Sequence, residues 1–182
     1  DLKFIQGTSV ACEGETLRLK HNTDQVTATF EWFHNGVAIP SLDDSIITLG
    51  NVVMADSGQY SSSVTYKGCT SNSDTLNLSI YPVPNATFAL NNADSCLSTN
   101  NFEFINNSTL NGGTMNYSWD FGDGNTSSLI SPTHTFTDTG AYQVRLAVNT
   151  QKNCTDTAYL SVHVAPSPNA NFNISASPQC LV

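Results

Sequence analysis

The spacing of the cysteines constrains this chain more than any other feature. Five stand at positions 12, 69, 96, 154 and 180. Cys12, Cys96 and Cys180 recur at intervals of 84 residues, and Cys69 and Cys154 follow the first two by 57 and 58. A period of that length is domain-sized, so the units are beads on a string and not solenoid turns. Other residues keep the register. Pro84-Asn85-Ala86-Thr87-Phe88 returns as Pro168-Asn169-Ala170-Asn171-Phe172, and Cys96-Leu97 as Cys180-Leu181. Prolines at 82, 84, 166 and 168 stop one strand from running into the next and stiffen the junctions. The expected division is 1–82, 83–166, and a third unit of which 167–182 is the start.

No two cysteines form a C-x-x-C pair, which argues against a zinc site. Buried free thiols in a reducing compartment are the plain alternative. Periodic pairs in Asn- and Thr-rich units point instead to disulfides in an oxidising one. The periodicity suggests Cys12–Cys69 and Cys96–Cys154, each closing a loop of nearly 60 residues and stabilising its unit by about 4 kcal/mol. Cys180 is then unpaired within this segment.

Apolar residues alternate with period two, and no helical period competes. Leu17 and Leu19 share a face, as do Phe30 and Trp32, and Leu76, Leu78 and Ile80. Asn35-Gly36 marks a two-residue hairpin. Short strands broken by Gly, Asn, Asp and Pro predict an all-β chain of tandem sandwiches.

Trp32 followed by Asp56-Ser57-Gly58-Gln59-Tyr60 resembles the immunoglobulin pattern. The resemblance implies a core tryptophan and a tyrosine corner at Tyr60. It departs at Ser62, where that family has its second cysteine; the inter-sheet disulfide is therefore expected to be missing, with Cys12 and Cys69 stapling the edges. The second unit is similar to PKD domains. The residues that carry this are Tyr117-Ser118-Trp119-Asp120-Phe121-Gly122-Asp123-Gly124, Pro132-Thr133-His134, and Gly140-Ala141-Tyr142-Gln143-Val144. That family is an immunoglobulin-like sandwich.

The strand pattern supports this. Tyr117, Trp119 and Phe121 share a face, opposed by Tyr142, Val144, Leu146 and Val148, with Leu160, Val162 and Val164 closing the sheet. Gly122-Asp123-Gly124 turns the chain. His134 is read as a structural residue bonded to nearby backbone and not as a base. Asp120 and Asp123 are read as turn formers, since calcium takes six to eight oxygen ligands. Trp32 and Trp119 are read as core and not as sugar platforms.

The net charge of -9, with six Lys+Arg, argues against nucleic acid, whose phosphates demand a basic surface. No apolar run approaches the roughly 20 residues of a membrane helix. The sequence carries no G-x-S-x-G, no H-E-x-x-H and no phosphate-cradling glycine loop. No cofactor or metal is called for.

Cysteine-bracketed strings of such modules resemble large surface proteins of Bacteroidota, including gliding-motility adhesins exported by the type IX system. That resemblance implies O-glycans on Ser45, Thr75 and Thr157, each preceded by Asp. The expected function is a non-catalytic structural or adhesive stalk of a secreted or cell-surface repeat protein. Its expected partners are neighbouring modules, other copies in a fibre, and surface glycans or a host surface. The alternative is an accessory binding module of a secreted protease or glycan-degrading enzyme.

Overall fold

A computed structural model describes residues 5–6, 9–21, 27–40 and 44–172. The first unit runs through β1 (Ile5–Gln6), β2 (Val10–Cys12), β3 (Leu17–His21), β4 (Thr29–His34), β5 (Val37–Ile39), β6 (Ile46–Leu49), β7 (Gly58–Tyr66), β8 (Cys69–Asn72) and β9 (Leu76–Tyr81). The second runs through β10 (Phe88–Leu90), β11 (Asp94–Cys96), β12 (Phe102–Asn106), β13 (Met115–Asp120), β14 (Thr126–Ser127), β15 (Thr133–His134), β16 (Gly140–Thr150) and β17 (Thr155–Ala165).

The two units share one topology. A three-stranded sheet β1-β3-β6 faces the larger sheet β2-β9-β7-β4-β5, with β8 extending the hairpin from β7. In the second unit β10-β12-β15 faces β11-β17-β16-β13-β14. These are tandem immunoglobulin-like sandwiches. In each, the first strand of the larger sheet pairs in parallel with the last, β2 with β9 and β11 with β17.

Alternation explains why these strands face as they do, since every second side chain points to the same side of a sheet. Leu17, Leu19, Trp32, Ile47, Tyr60, Leu78 and Ile80 close the first core. Phe88, Phe102, Phe104, Trp119, Phe136, Val144, Leu146 and Val162 close the second. Each large side chain so buried is worth about 1.5–3 kcal/mol. Trp32 and Trp119 are both fully buried. Their indole N–H groups donate to the carbonyls of Asp44 and Leu129 at 2.9 Å each, which satisfies the polar edge of a buried ring. Leu160, expected to help close the second sheet, is instead exposed.

The missing inter-sheet disulfide has a substitute. Ser62 on β7 lies opposite Trp32 of β4 and is buried. Across the core, His21 of β3 reaches it, with Nδ1 2.6 Å from the Ser62 hydroxyl. A hydrogen bond therefore joins the two sheets from buried positions on β3 and β7. Burial holds the His21 pKa below its ordinary value, because the low-dielectric core disfavours the imidazolium. Its Nε2 has no hydrogen-bond partner among the described residues.

Candidate functional site

The chain leaves each sandwich at what we term its exit pole, where the last strand ends. At the opposite hairpin pole, the turn before that strand closes. The exit pole of the first sandwich meets the hairpin pole of the second, and this junction is the most built feature of the surface. Cys12 is level with Tyr81 at the end of β9. Cys154 sits in the turn before β17, buried, and bonds to Cys12 across a Cα–Cα distance of 5.7 Å.

This corrects the expected pairing. Cys12–Cys69 and Cys96–Cys154 are not the bonds formed; Cys12–Cys154 spans the two sandwiches, and Cys69 and Cys96 are free thiols. Strand direction gives the reason. Cys69 pairs with Tyr66 at the hairpin pole of the first sandwich, whereas Cys12 is at its exit pole. Cys96 is level with Ala165, at the opposite end of the 11-residue β17 from Cys154. At ~3.3 Å per residue, β17 alone separates the second pair by about 35 Å, far beyond the ~7 Å a disulfide can bridge. Cys180 lies outside the described residues.

Contacts within the second sandwich fix where the linker enters it, and one more contact crosses the junction. The Asp156 carboxylate accepts the Ala86 N–H at 2.7 Å. Asn85 and Thr109 exchange backbone bonds of 2.8 and 3.0 Å. Lys152 places its ammonium 5.0 Å from the Tyr81 ring centre, a cation–π contact worth about 0.5–1 kcal/mol when exposed. A shallow apolar cleft opens beside it between Tyr81, Pro82, Leu110, Gly113, Thr150 and Lys152. Sequence reasoning missed this cleft. Lys152 and Tyr81 are distant in sequence and meet only through the docking of the two sandwiches.

The sequence motif of the second sandwich forms a turn. The Asp120 carboxylate accepts the Gly122 N–H at 3.0 Å, and Asp123 accepts the backbone and side-chain N–H groups of Asn125, also at 3.0 Å. Gly122 has φ +81° and packs so closely that a Cβ there would stand 2.8 Å from the Gln143 carbonyl oxygen. Gly124, at φ +91°, faces open space. Both aspartates thus accept amide hydrogens within the turn, and the second oxygen of Asp120 lies 3.9 Å from the Arg145 guanidinium.

His134 departs from expectation in its partner. Its Nε2 meets the Asp123 carboxylate at 2.7 Å, not nearby backbone, and its ring stacks on Phe121 with centroids 4.1 Å apart. Burial works to raise the Asp123 pKa, but the hydrogen bonds from His134 and Asn125 prevail and hold it below the usual carboxylate value. An Asp–His pair supplies two of the three members of a nucleophilic triad. No Ser, Thr or Cys among the described residues bonds to His134, so the pair locks the turn against β15. No group of three or more His, Cys, Asp and Glu that could hold a metal occurs among the described residues.

Tyrosine corners complete both sandwiches. The Tyr60 hydroxyl donates to the Asp56 carbonyl at 2.9 Å, and the Tyr142 hydroxyl to that of Asp138 at 3.0 Å. Residues 81–164 match the PKD domain family.

The chain belongs to the PKD-domain family through its second sandwich.

The PKD1 domain of the Vibrio cholerae metalloprotease PrtV is 33% identical, with 46% of this chain and 98% of that domain covered and a TM-score of 0.41. A microbial collagenase of Vibrio alginolyticus is 34% identical over 82 residues, which is 45% of this chain and 10% of the collagenase. The chain thus spans about a tenth of the length of the curated relatives it matches. The insect immune protein hemolin shares the fold alone, at 12% identity and a TM-score of 0.51, with 92% of this chain and 46% of hemolin covered.

Of the expected glycan acceptors, Thr157 follows the junction cysteine Cys154 by three residues, while Ser45 and Thr75 belong to the first sandwich. Thr75 and Thr157 are exposed, and Ser45 is half-buried with its hydroxyl 3.3 Å from the Asp44 carboxylate.

Proposed function

We propose that this chain is a non-catalytic accessory segment of a larger exported hydrolase, spacing the catalytic domain from, or holding it to, an insoluble polymer. One observation carries the reading: the second sandwich shares its family with PKD domains carried by a Vibrio metalloprotease and collagenase. It replaces the adhesive stalk as the first choice, since the relatives that the second sandwich resembles are Vibrio proteases. The extracellular setting rests on the disulfide, which persists in oxidising compartments. The test is deletion of this segment from the parent polypeptide. Hydrolysis of insoluble collagen should fall several-fold, with soluble peptide hydrolysis unchanged. A parent without hydrolase activity would overturn the reading.

The cross-linked junction favours a second reading, the structural stalk, because a bond between modules stiffens the string. The division at residues 82 and 166 remains part of this proposal, as do export by the type IX system and O-glycans on Ser45, Thr75 and Thr157. Native material whose intact mass equals the bare polypeptide would remove the glycans.

A further inference from the structure

The one disulfide among the described residues lies between two cores and inside neither. The buried clusters of the two sandwiches share no residue. Nor does either sandwich rely on a bond of its own. Cys69 and Cys96 are free, and in the first sandwich the His21–Ser62 hydrogen bond stands where an inter-sheet bridge would be. The other contacts across the junction are slight. Among the described residues they are the Lys152–Tyr81 contact, the shallow apolar cleft beside it, and the Cys154 Sγ 3.9 Å from the Tyr81 carbonyl oxygen. No ion pair among those residues joins one sandwich to the other. The two bonded sulfurs also differ in access. Cys154 is 1% exposed, whereas Cys12 is half-buried at the end of β2.

We propose that the Cys12–Cys154 bond is a redox lock on the junction: a small thiol such as glutathione opens it in the folded protein, and the two sandwiches then turn on a free joint. The Cys12 sulfur is the one attacked, because thiol–disulfide exchange needs access to the sulfur and Cys154 is covered. A glutathione thiolate bonds to the Cys12 sulfur as the Cys12–Cys154 bond breaks. The electron pair leaves on the Cys154 sulfur, which takes up a proton. A second thiolate attacks the mixed disulfide, frees Cys12 as a thiol, and departs as oxidised glutathione. Two protein thiols are gained and two small thiols are oxidised to one disulfide. The new Cys154 thiol keeps an acceptor, the Tyr81 carbonyl oxygen already beside its sulfur. A buried thiol behaves as a small hydrophobe with a weak S–H donor, so it is tolerated there. A bond across a core would wait for that core to open. A bond between cores needs only local motion at the junction, which lies at the low end of opening free energies. Oxidising surroundings therefore give a rigid pair and reducing ones a jointed pair, with the strands of both sandwiches unchanged.

The experiment uses the full chain with its free thiols first blocked by light iodoacetamide. Reduced glutathione is added under native conditions, samples are quenched with isotopically heavy iodoacetamide, and mapping of the Cys12 and Cys154 peptides gives the reduced fraction. The bond should open in proportion to thiol concentration, roughly tenfold or more faster than global unfolding measured by urea jumps. Urea below the unfolding transition should leave that rate unchanged. The glutathione adduct caught at early times should sit on Cys12. Far-UV circular dichroism should stay constant while the rotational correlation times of the two sandwiches shorten, and reoxidation should restore them. A rate that matches global unfolding and climbs with urea would overturn the proposal, as would loss of the dichroism signal on reduction. Correlation times that stay long after reduction would overturn it too, since the contacts at Tyr81 and Lys152 would then hold the joint without the bond. An early adduct on Cys154 would overturn the direction of attack.

Discussion

At the scale of single residues, the PKD turn separates two costs that usually come together. Gly122 has both positive φ and no room, whereas Gly124 has positive φ and open space. Gly124→Ala should cost about 1 kcal/mol from the backbone alone. Gly122→Ala should cost about 2–4 kcal/mol, since the Gln143 carbonyl must also move. Urea denaturation of the two variants reads the difference, and equal midpoints would refute the packing argument. His21 supplies a residue-scale pH dependence. Its pKa is depressed in the folded state, so below about pH 6.5 the unfolded chain binds a proton that the folded one refuses. Stability from this site is full above that pH and is lost as pH falls toward the folded-state pKa. The double change His21→Leu and Ser62→Ala removes both partners together, which is far milder than orphaning one. It should flatten the stability profile below about pH 6.5, as read by thermal melts at successively lower pH; an unchanged slope would assign the acid sensitivity elsewhere.

At the scale of elements, the Asp123–His134 contact joins the turn after β13 to the short strand β15. β15 has only two residues and two pairs with β12, so its own ladder holds it weakly. Asp123→Ala removes the His134 bond and both Asn125 bonds at once and should destabilise the second sandwich by about 2 kcal/mol. Because the folded-state Asp123 pKa is depressed, this contribution is present above about pH 3.8 and lost as pH drops through the lowered value. Hydrogen exchange of the Thr133 and His134 amides gives the readout. Unaltered protection in the variant would mean that the Phe121 stack alone holds the strand.

At the scale of the whole molecule, the Cys12–Cys154 bond closes 142 residues, for which the chain-entropy estimate is about 5 kcal/mol. Each sandwich has its own core, so that constraint acts mainly on how the two sit against each other. Cys12→Ser should leave the far-UV circular dichroism unchanged and shorten the rotational correlation times of the two sandwiches measured by NMR relaxation. Unchanged correlation times would show that the Tyr81–Lys152 contact and the cleft around it fix the pair without it. The same bond suits the proposed spacer role, since a stiff junction transmits distance as a flexible linker does not.

The local rules settled a good deal. Alternation at Leu17/Leu19, Leu76/Leu78/Ile80 and Tyr142/Val144/Leu146/Val148 requires two-faced strands, because a sheet residue's side is fixed by parity alone. Asn35-Gly36 names its own turn, and the residues from Tyr117 to Gly124 carry both the core tryptophan and the loop after it. The 84-residue period shows that the units are copies. What the period could not show is which end of a sandwich each cysteine occupies. Cys12 and Cys69 are one unit's pair by sequence, yet strand direction sends them to opposite poles, and the partner within reach belongs to the neighbour. The His21–Ser62 bond and the Lys152–Tyr81 contact were hidden for the same reason. Each joins positions remote in sequence that share no periodic pattern, and only the facing of two sheets, or the docking of two sandwiches, brings their atoms together.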